Sequence, residues 1–227
     1  YFPNHKTWQC GNKIPSSGIT QPPIILTIIK KIVDQNEFDE KQKKRIKNII
    51  IKLKKYIDWF FNYRDTNNTG LVSIIHPWES GLDNSPIWDS SLDKITIEAN
   101  LNYVRRDLEV SKNDNRPIKK DYDCYITLLN HFKLHDYDPN KIVNLSMFNI
   151  IDIGFNSILI RATKDLIDVS KKFNLDFSNL NKKIALSEKS LIKFYKEKDQ
   201  LFYSYDFKNH SLIHVDAISN YFILFAN

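Results

Sequence analysis

Cysteine is scarce in this 227-residue chain, which disfavours a fold held together by disulfides. The two cysteines, Cys10 and Cys124, lie far apart in the sequence and can pair only if the fold brings them together. Free thiols in a reducing compartment are the simpler expectation, so we expect a cytoplasmic protein. No apolar run approaches the roughly 20 residues of a membrane span, and no signal peptide is visible. We therefore expect no membrane partner.

Motifs for nucleic acid and for metal are also lacking. The formal net charge is +6, but much of it comes from residues 41–55, where lysines alternate with apolar residues at helical spacing. That pattern indicates a solvated helix face, and no nucleic-acid-binding motif accompanies it. His131 and His135 stand four residues apart on a predicted helix, but no third ligand is evident. We therefore expect no nucleic-acid partner, no metal and no other cofactor, and the sequence carries no indication of oligomeric state.

Length and composition fit one domain. The chain has 227 residues and a hydrophobic content of 42%, which is ample material for one core. It begins at Tyr1 rather than at a methionine, and it ends at Asn227 directly after an apolar run. We therefore expect residues 1–227 to be a single, partial domain of a longer protein.

Apolar periodicity predicts a mostly helical chain. A helix from Pro22 to about Gln35 has an almost continuous apolar surface, which predicts a buried inner helix. A second helix begins near Asp39 and repeats apolar residues at three and four positions, as expected for an outer helix with one apolar face. The other predicted elements are a short strand over 95–102, a surface excursion over 105–119, helices over 121–135, 146–173 and 180–197, a β-hairpin of 201–205 with 212–215, and a further element over 216–226.

One stretch, residues 76–89, concentrates side chains suited to a functional site. It reads His-Pro-Trp-Glu-Ser-Gly-Leu-Asp-Asn-Ser-Pro-Ile-Trp-Asp. Pro77 and Gly81 interrupt its first half, which predicts a loop there. Ser85 and Pro86 are typical of a helix start, with serine as the N-cap and proline at the first helical position.

Asp83 lies just outside that predicted helix start. The helix dipole favours the ionised carboxylate there, whereas burial among Trp78, Leu82 and Trp88 favours the protonated acid, and the residues leave both open. A carboxyl group between aromatic rings is typical of a sugar site, because rings stack on the apolar faces of a pyranose while the acid protonates the glycosidic oxygen. An acidic, aromatic-rich connecting loop has the same composition and is the alternative.

Three segments resemble one group of glycosidases. Residues 76–89 resemble the signature of the mannosylglycerate hydrolase and glucosylglycerate hydrolase group, which is related to glycoside hydrolase family 63. Residues 17–23 (Ser-Gly-Ile-Thr-Gln-Pro-Pro) are similar to the segment that opens the preceding helix in that family, and residues 152–162 are similar to a run on a later barrel helix. The resemblance implies an all-α fold, an (α/α)6 toroid of helical hairpins, here incomplete and with one short β-hairpin near the C-terminus.

The resemblance also implies a reaction. It is the hydrolysis, with inversion, of a small α-glucoside or α-mannoside such as mannosylglycerate or glucosylglycerate. The family's general acid is the aspartate of its Gly-x-Asp-Asn-Ser-Pro segment, which is Asp83 here, and Gln21 and Trp78 match positions that line the family's sugar pocket. The other residues that we expect in the sugar site are Trp8, Gly81, Glu79 and Asn84, of which Glu79 and Asn84 either position the acid or bond to sugar hydroxyls. Trp88 and Asp89 either join them or pack and cap the following helix.

The second carboxylate of an inverting enzyme is missing from the pattern. Such enzymes need it about 6.5–9.5 Å from the acid to activate water. The family supplies it as a glutamate near the C-terminal end of the barrel, and no matching segment occurs before Asn227, because Glu188 and Glu197 read as ordinary residues of a charged helix. We therefore expect the isolated chain to be inactive. The alternatives are a catalytically incomplete sugar-binding or scaffold module, and a basic helical interaction protein, which would leave residues 76–89 unexplained.

Overall fold

The computed structural model describes Trp8, Cys10, residues 16–105, Leu108 and residues 116–226. Its α-helices are α1 (Ile25–Gln35), α2 (Glu40–Tyr63), α3 (Asp89–Leu92), α4 (Lys119–Leu134), α5 (Pro139–Leu145), α6 (Ile153–Lys172) and α7 (Leu180–Leu191). Its strands are β1 (Ile150–Ile151), β2 (Tyr195–Lys196), β3 (Leu201–Phe202), β4 (Tyr205–Asp206) and β5 (Ser211–Leu212). Segments of 3-10 helix are Pro77–Ser80, Pro86–Trp88, Ile192–Phe194 and Ile218–Phe225.

Backbone contacts divide the chain into two compact units, each assembled from three separate segments. The first unit comprises Tyr1–Gln21, Ile74–Ile150 and Tyr205–Ala217. The second unit comprises Pro22–Ser73, Ile151–Ser204 and Ile218–Asn227. That residues 1–227 form a single domain stays a prediction.

Helix α2 has the one apolar face that the sequence predicts, and its outer position in a toroid stays a prediction. It begins with a capping box, because Asp39 Oδ1 accepts a hydrogen bond from Gln42 N at 2.7 Å while the Gln42 side chain accepts one from Asp39 N at 3.0 Å. The buried residues of that face are Ile50, Ile57, Phe60 and Phe61, whereas Ile49 is 44% exposed. The lysines between them stay at the surface.

Helix α1 is less buried than predicted. Leu26 and Val33, two turns apart, are its buried residues, and α1 packs against α6. The N-cap residue Ile24 and three isoleucines of the helix, Ile25, Ile28 and Ile32, are between 42% and 48% exposed. The predicted burial of α1 is therefore wrong for the described residues, because a single packed face covers only part of its almost continuous apolar surface. Its inner position stays a prediction.

Helix α6 begins seven residues later than its apolar pattern predicts. Asp152 is the N-cap, and its Oδ2 accepts a hydrogen bond from Phe155 N at 2.8 Å. The Asp152 carboxyl is buried and also accepts from Ser204 Oγ at 3.0 Å, and burial raises its pKa. An N-cap residue has a non-helical backbone, so the helix cannot extend to residues before Asp152. Residues 146–152 instead form a bend and β1.

The C-terminal strands partly match the predicted hairpin. Strands β4 and β5 pair antiparallel with Tyr205 opposite Leu212, so a hairpin around residues 208–210 is confirmed. Strand β3 pairs instead with β2, placing Phe202 opposite Tyr195. The strand predicted over 95–102 is wrong, because that segment has turns and residues without regular structure. Glu98 N donates to Thr127 Oγ1 of α4 at 3.1 Å rather than to a strand partner.

Two other sequence expectations concern the remaining parts of the chain. The surface excursion predicted over 105–119 falls mostly outside the described residues, and α4 already begins at Lys119. Within the described residues, no helix combines the length and the apolar character that crossing a membrane requires.

Candidate active site

The first half of the 76–89 stretch is more ordered than the predicted loop. It forms a 3-10 turn over Pro77–Ser80. His76 is the N-cap residue, and its Nδ1 accepts a hydrogen bond from Trp78 N at 3.0 Å. Pro77 at the first position suits this turn, because its missing N–H is not needed there. Gly81 ends the turn with a φ of +74°, a left-handed conformation that glycine adopts without strain.

The second half begins a helix as predicted. Ser85 Oγ accepts a hydrogen bond from Ile87 N at 3.4 Å, and Pro86 opens the 3-10 segment that leads into α3. Trp88 is buried, its ring packs edge-on against Phe148 with centroids 5.8 Å apart, and its Nε1 donates to Leu82 O at 2.7 Å. These contacts favour the packing role for Trp88 over a sugar contact.

Asp83 lies directly between the two halves. Its side chain is half-buried, and its backbone carbonyl accepts a hydrogen bond from the Tyr125 hydroxyl at 2.7 Å. The preceding carbonyl, that of Leu82, is held by Trp88. Consecutive carbonyls are thus bonded to two buried aromatic side chains, which fixes the backbone from which the carboxyl group projects.

Trp78 is the centre of an aromatic cluster. Its half-buried ring packs edge-to-face against Trp8, Tyr122 and Tyr125, with centroids 5.9, 5.8 and 5.6 Å away. Gln21 Nε2 donates to Trp78 O at 2.6 Å, which holds the exposed Gln21 side chain beside the cluster. Indole and phenol rings in this arrangement offer apolar surface with polar edges, which suits a sugar ring.

His76 links this cluster to helix α4. It is fully buried, its Nδ1 accepts from Trp78 N, and its Nε2 lies 3.1 Å from Tyr125 O. Because Nδ1 is an acceptor, Nε2 carries the proton and donates to the Tyr125 carbonyl. Burial lowers the pKa of His76 to about 3, so the imidazole is neutral at ordinary pH and acts as a structural connector.

Glu79 is bonded to the backbone on both sides of its carboxylate. It has no exposed surface, Oε1 accepts from Thr20 N at 3.1 Å, and Oε2 accepts from Ile75 N at 2.8 Å. These bonds join the segment that carries Gln21 to the start of the 76–89 stretch. The carboxylate therefore positions the loop, and a direct bond from Glu79 to a sugar stays a prediction.

All the residues predicted from the sequence to form the site belong to the first unit. Trp8 reaches the cluster with its ring, and its carbonyl accepts from the Tyr137 hydroxyl at 2.6 Å. Asn84 is exposed beside Asp83. Among the described residues no group of three or more metal-ligating side chains comes together, and His131 and His135 stand as a pair with ring centroids 4.9 Å apart.

Sequence reasoning missed the contributions of His76, Tyr122 and Tyr125. Tyr122 and Tyr125 lie three residues apart and were predictable as one face of α4, but that pattern indicates only an apolar face. The partner that Tyr125 contacts, Asp83, lies 42 positions away in the sequence. No local pattern encodes such a pairing.

Comparison of the sequence and the structure with known proteins shows the family of this chain. The sequence profile of the mannosylglycerate hydrolase MGH1-like glycoside hydrolase domain matches residues 2–227. The chain belongs to this family. It is 35% identical over 228 residues to a mannosylglycerate hydrolase from Thermus thermophilus, and 38% identical over 168 residues to mannosylglycerate hydrolase MGH2 from Selaginella moellendorffii. The alignments include 100% and 74% of this chain, and 55% and 34% of the two relatives.

Solved structures agree with the family membership. The crystal structure of the glycoside hydrolase family 63 mannosylglycerate hydrolase from Thermus thermophilus in complex with Tris matches with a TM-score of 0.93 and 34% identity. The match covers 100% of this chain and 54% of that one. The likeness confirms the all-α fold class that the resemblance implied. The chain spans about half the length of the Thermus relatives it matches.

Proposed function

We propose that Asp83 is the general acid of an inverting α-glycoside hydrolase. The observation that carries the proposal is the fixed backbone at Asp83, where Trp88 and Tyr125 hold consecutive carbonyls while the carboxyl group itself stays half-buried. In the reaction the protonated carboxyl gives its proton to the glycosidic oxygen as the bond from that oxygen to C1 breaks. Water attacks C1 from the opposite face, which inverts the configuration.

The aromatic cluster supplies the surface on which the sugar lies. Trp78, edge-on to Trp8 and Tyr122, offers its ring to an apolar face of the pyranose. Gln21 is held next to it through the Trp78 carbonyl, within reach of sugar hydroxyls. The left-handed Gly81 lets the backbone approach the substrate closely between Trp78 and Asp83.

The substrate in this proposal is a small α-mannoside or α-glucoside such as mannosylglycerate or glucosylglycerate. Its support is the relatives' names, which include mannosylglycerate hydrolases and a glucosylglycerate hydrolase from Mycolicibacterium hassiacum. Further support comes from Thermus crystal structures described as complexes with D-glycerate and with glucose. The general base is proposed to be a glutamate outside residues 1–227, since the relatives extend well beyond the matched region.

The test is turnover by the purified protein as its gene encodes it. Hydrolysis of mannosylglycerate and glucosylglycerate is followed by proton NMR, which also identifies the anomer released first. Asp83→Asn removes the proton donor but keeps the shape, and we expect it to lower kcat by about 100- to 10,000-fold. Asp93→Asn is the matched control, because Asp93 is an exposed carboxylate in an ion pair with Lys120.

Two results would contradict the proposal. Normal turnover by Asp83→Asn would exclude this residue as the acid. Release of the α-anomer first would exclude inversion.

The second candidate is a sugar-binding or scaffold module that retains the acid loop without catalysis. Its support is that no segment within residues 1–227 matches the family's glutamate base. It predicts binding of mannosylglycerate by calorimetry without release of free sugar. Under this alternative Asp83→Asn and wild type would be equally inactive, while Trp78→Ala would still weaken binding.

A further inference from the structure

We infer that Tyr125 is a positioning residue for the general acid, acting through its hydroxyl bond to the backbone of Asp83. The inference rests on the proposed function, because it assigns Tyr125 a task in the acid step of that reaction. Tyr125 lies in the middle of α4 and is 1% exposed.

The contact is directed at the acid residue itself. The Tyr125 hydroxyl donates to Asp83 O at 2.7 Å, the usual length for such a bond, and it fixes the peptide group immediately after the Asp83 side chain. Asp83 lies in a turn, and Asn84, the next residue, is exposed. The phenol thus ties the turn to a rigid helix at the position where the carboxyl group must point at the glycosidic oxygen.

The same residue also fixes the distance between the acid and the aromatic cluster. The Tyr125 carbonyl accepts from His76 Nε2 at 3.1 Å, and His76 Nδ1 in turn accepts from Trp78 N at 3.0 Å. The Tyr125 ring packs directly against Trp78 with centroids 5.6 Å apart. One side chain and its own carbonyl therefore connect the ring that would hold the sugar to the carboxyl that would protonate it.

The hydroxyl keeps its proton at any pH at which the protein would work. Burial is the main cause that raises the pKa of Tyr125, and the negative charges of Asp121, Asp83 and Asp89 raise it further. A phenol that stays protonated is a permanent donor, so its bond to Asp83 O does not titrate. Its removal should change how well the acid is aimed, with little effect on sugar binding by Trp78.

Two substrates with different leaving groups distinguish a misplaced acid from a general loss of activity. Natural glycosides need a proton on the departing oxygen, whereas a glycosyl fluoride releases fluoride without such help. Tyr125→Phe keeps the ring and removes only the hydroxyl. We expect it to lower kcat on mannosylglycerate by roughly 10- to 100-fold with KM nearly unchanged, because small misplacements of a catalytic group cost rates of this order. On α-mannosyl fluoride we expect kcat within about threefold of wild type.

Controls make each outcome decisive. Tyr103→Phe removes another phenol bond in the same unit, the 2.5 Å bond to Asp123, and should leave both substrates at wild-type rates. Equal loss by Tyr125→Phe on both substrates, no loss on either, or failure of this variant to fold would overturn the inference. Asp83→Asn is run alongside. If it hydrolyses mannosylglycerate normally, or if wild type hydrolyses neither substrate, the proposed function fails and the positioning role fails with it.

Discussion

The substitution Glu79→Gln tests whether the Glu79 carboxylate stabilises the loop or binds the sugar. The carboxylate is fully buried, and its oxygens accept backbone N–H bonds from Thr20 at 3.1 Å and Ile75 at 2.8 Å. Glutamine has nearly the same shape but offers only one acceptor oxygen. Its NH2 group must then face one of the two backbone donors.

The cost follows from those two bonds. A hydrogen bond to a charged group contributes about 1.5–3 kcal/mol, and a buried donor left without an acceptor costs a further 1–3 kcal/mol. We expect Glu79→Gln to lower the free energy of unfolding by about 3 kcal/mol. For a chain of this size each kcal/mol shifts Tm by roughly 2–4 °C, which predicts a decrease of about 6–12 °C.

Thermal unfolding of the purified protein by circular dichroism measures this shift. Hydrogen exchange gives a second readout, because the amides of Thr20 and Ile75 should lose protection before the rest of the unit. Glu98→Gln is the matched control, since the Glu98 side chain is exposed and accepts a bond from Asn130 at 2.7 Å. It should move the free energy of unfolding by no more than about 0.5 kcal/mol.

A Tm within about 2 °C of wild type would refute the reasoning. If that unchanged stability came with a raised KM for mannosylglycerate, Glu79 would be a substrate ligand, as the sequence suggested. If stability falls as expected while KM and kcat fall only through loss of folded protein, the carboxylate is a loop anchor. The two roles therefore give different pairs of measurements.

Two further predictions concern the second unit. Gly70→Ala should lower the free energy of unfolding by at least about 2 kcal/mol in urea titrations, because φ is +78° and the new Cβ would lie 2.6 Å from Ser187 N. Gly154→Ala should lower it less, because the nearest atom to its new Cβ would be 3.1 Å away. Equal losses of stability in the two variants would contradict this prediction. Burial raises the pKa of Asp152, so the folded state binds its proton more tightly than the unfolded chain, and the resulting stability is complete below the unfolded value of 3.8 and is lost as pH rises through the folded pKa. The stability of wild type relative to Asp152→Asn should therefore decrease as the pH rises above about 4, and a difference that stays constant or grows would contradict the assignment.

Features set by neighbouring residues were predictable from the sequence. The helix start at Ser85 and Pro86 and the capped start of α2 depend on side chains within three residues of the bonds they make. The late start of α6 was readable in principle, because Asp152 is a good N-cap residue. Apolar periodicity through residues 146–151 outweighed it, although burial of those residues does not require a helix.

Features set by distant residues were not predictable in the same way. The exposed isoleucines of α1 show the limit of the apolar pattern. Such a pattern predicts that a surface tends to be buried, but it does not identify the element that packs against it. In the segment 95–102, Glu98 N bonds to Thr127, a side chain on α4 that lies 29 positions away in the sequence. The bond from Tyr125 to Asp83 is also between residues far apart in the sequence, so no local pattern predicts it.

Burial separates the residues of the 76–89 stretch into two groups with different tasks. His76, Glu79 and Trp88 are almost completely inaccessible, and each bonds to backbone within the first unit. Trp78 and Asp83, which we propose to meet the sugar, remain half-buried on the backbone that those residues fix. An ordinary connecting loop does not need a buried imidazole, a buried carboxylate and a buried indole, because loops run over the surface and their polar groups bond to water. The acidic, aromatic-rich linker that the composition alone allowed is therefore the weaker explanation of this segment, and a site prepared for a ligand is the stronger one.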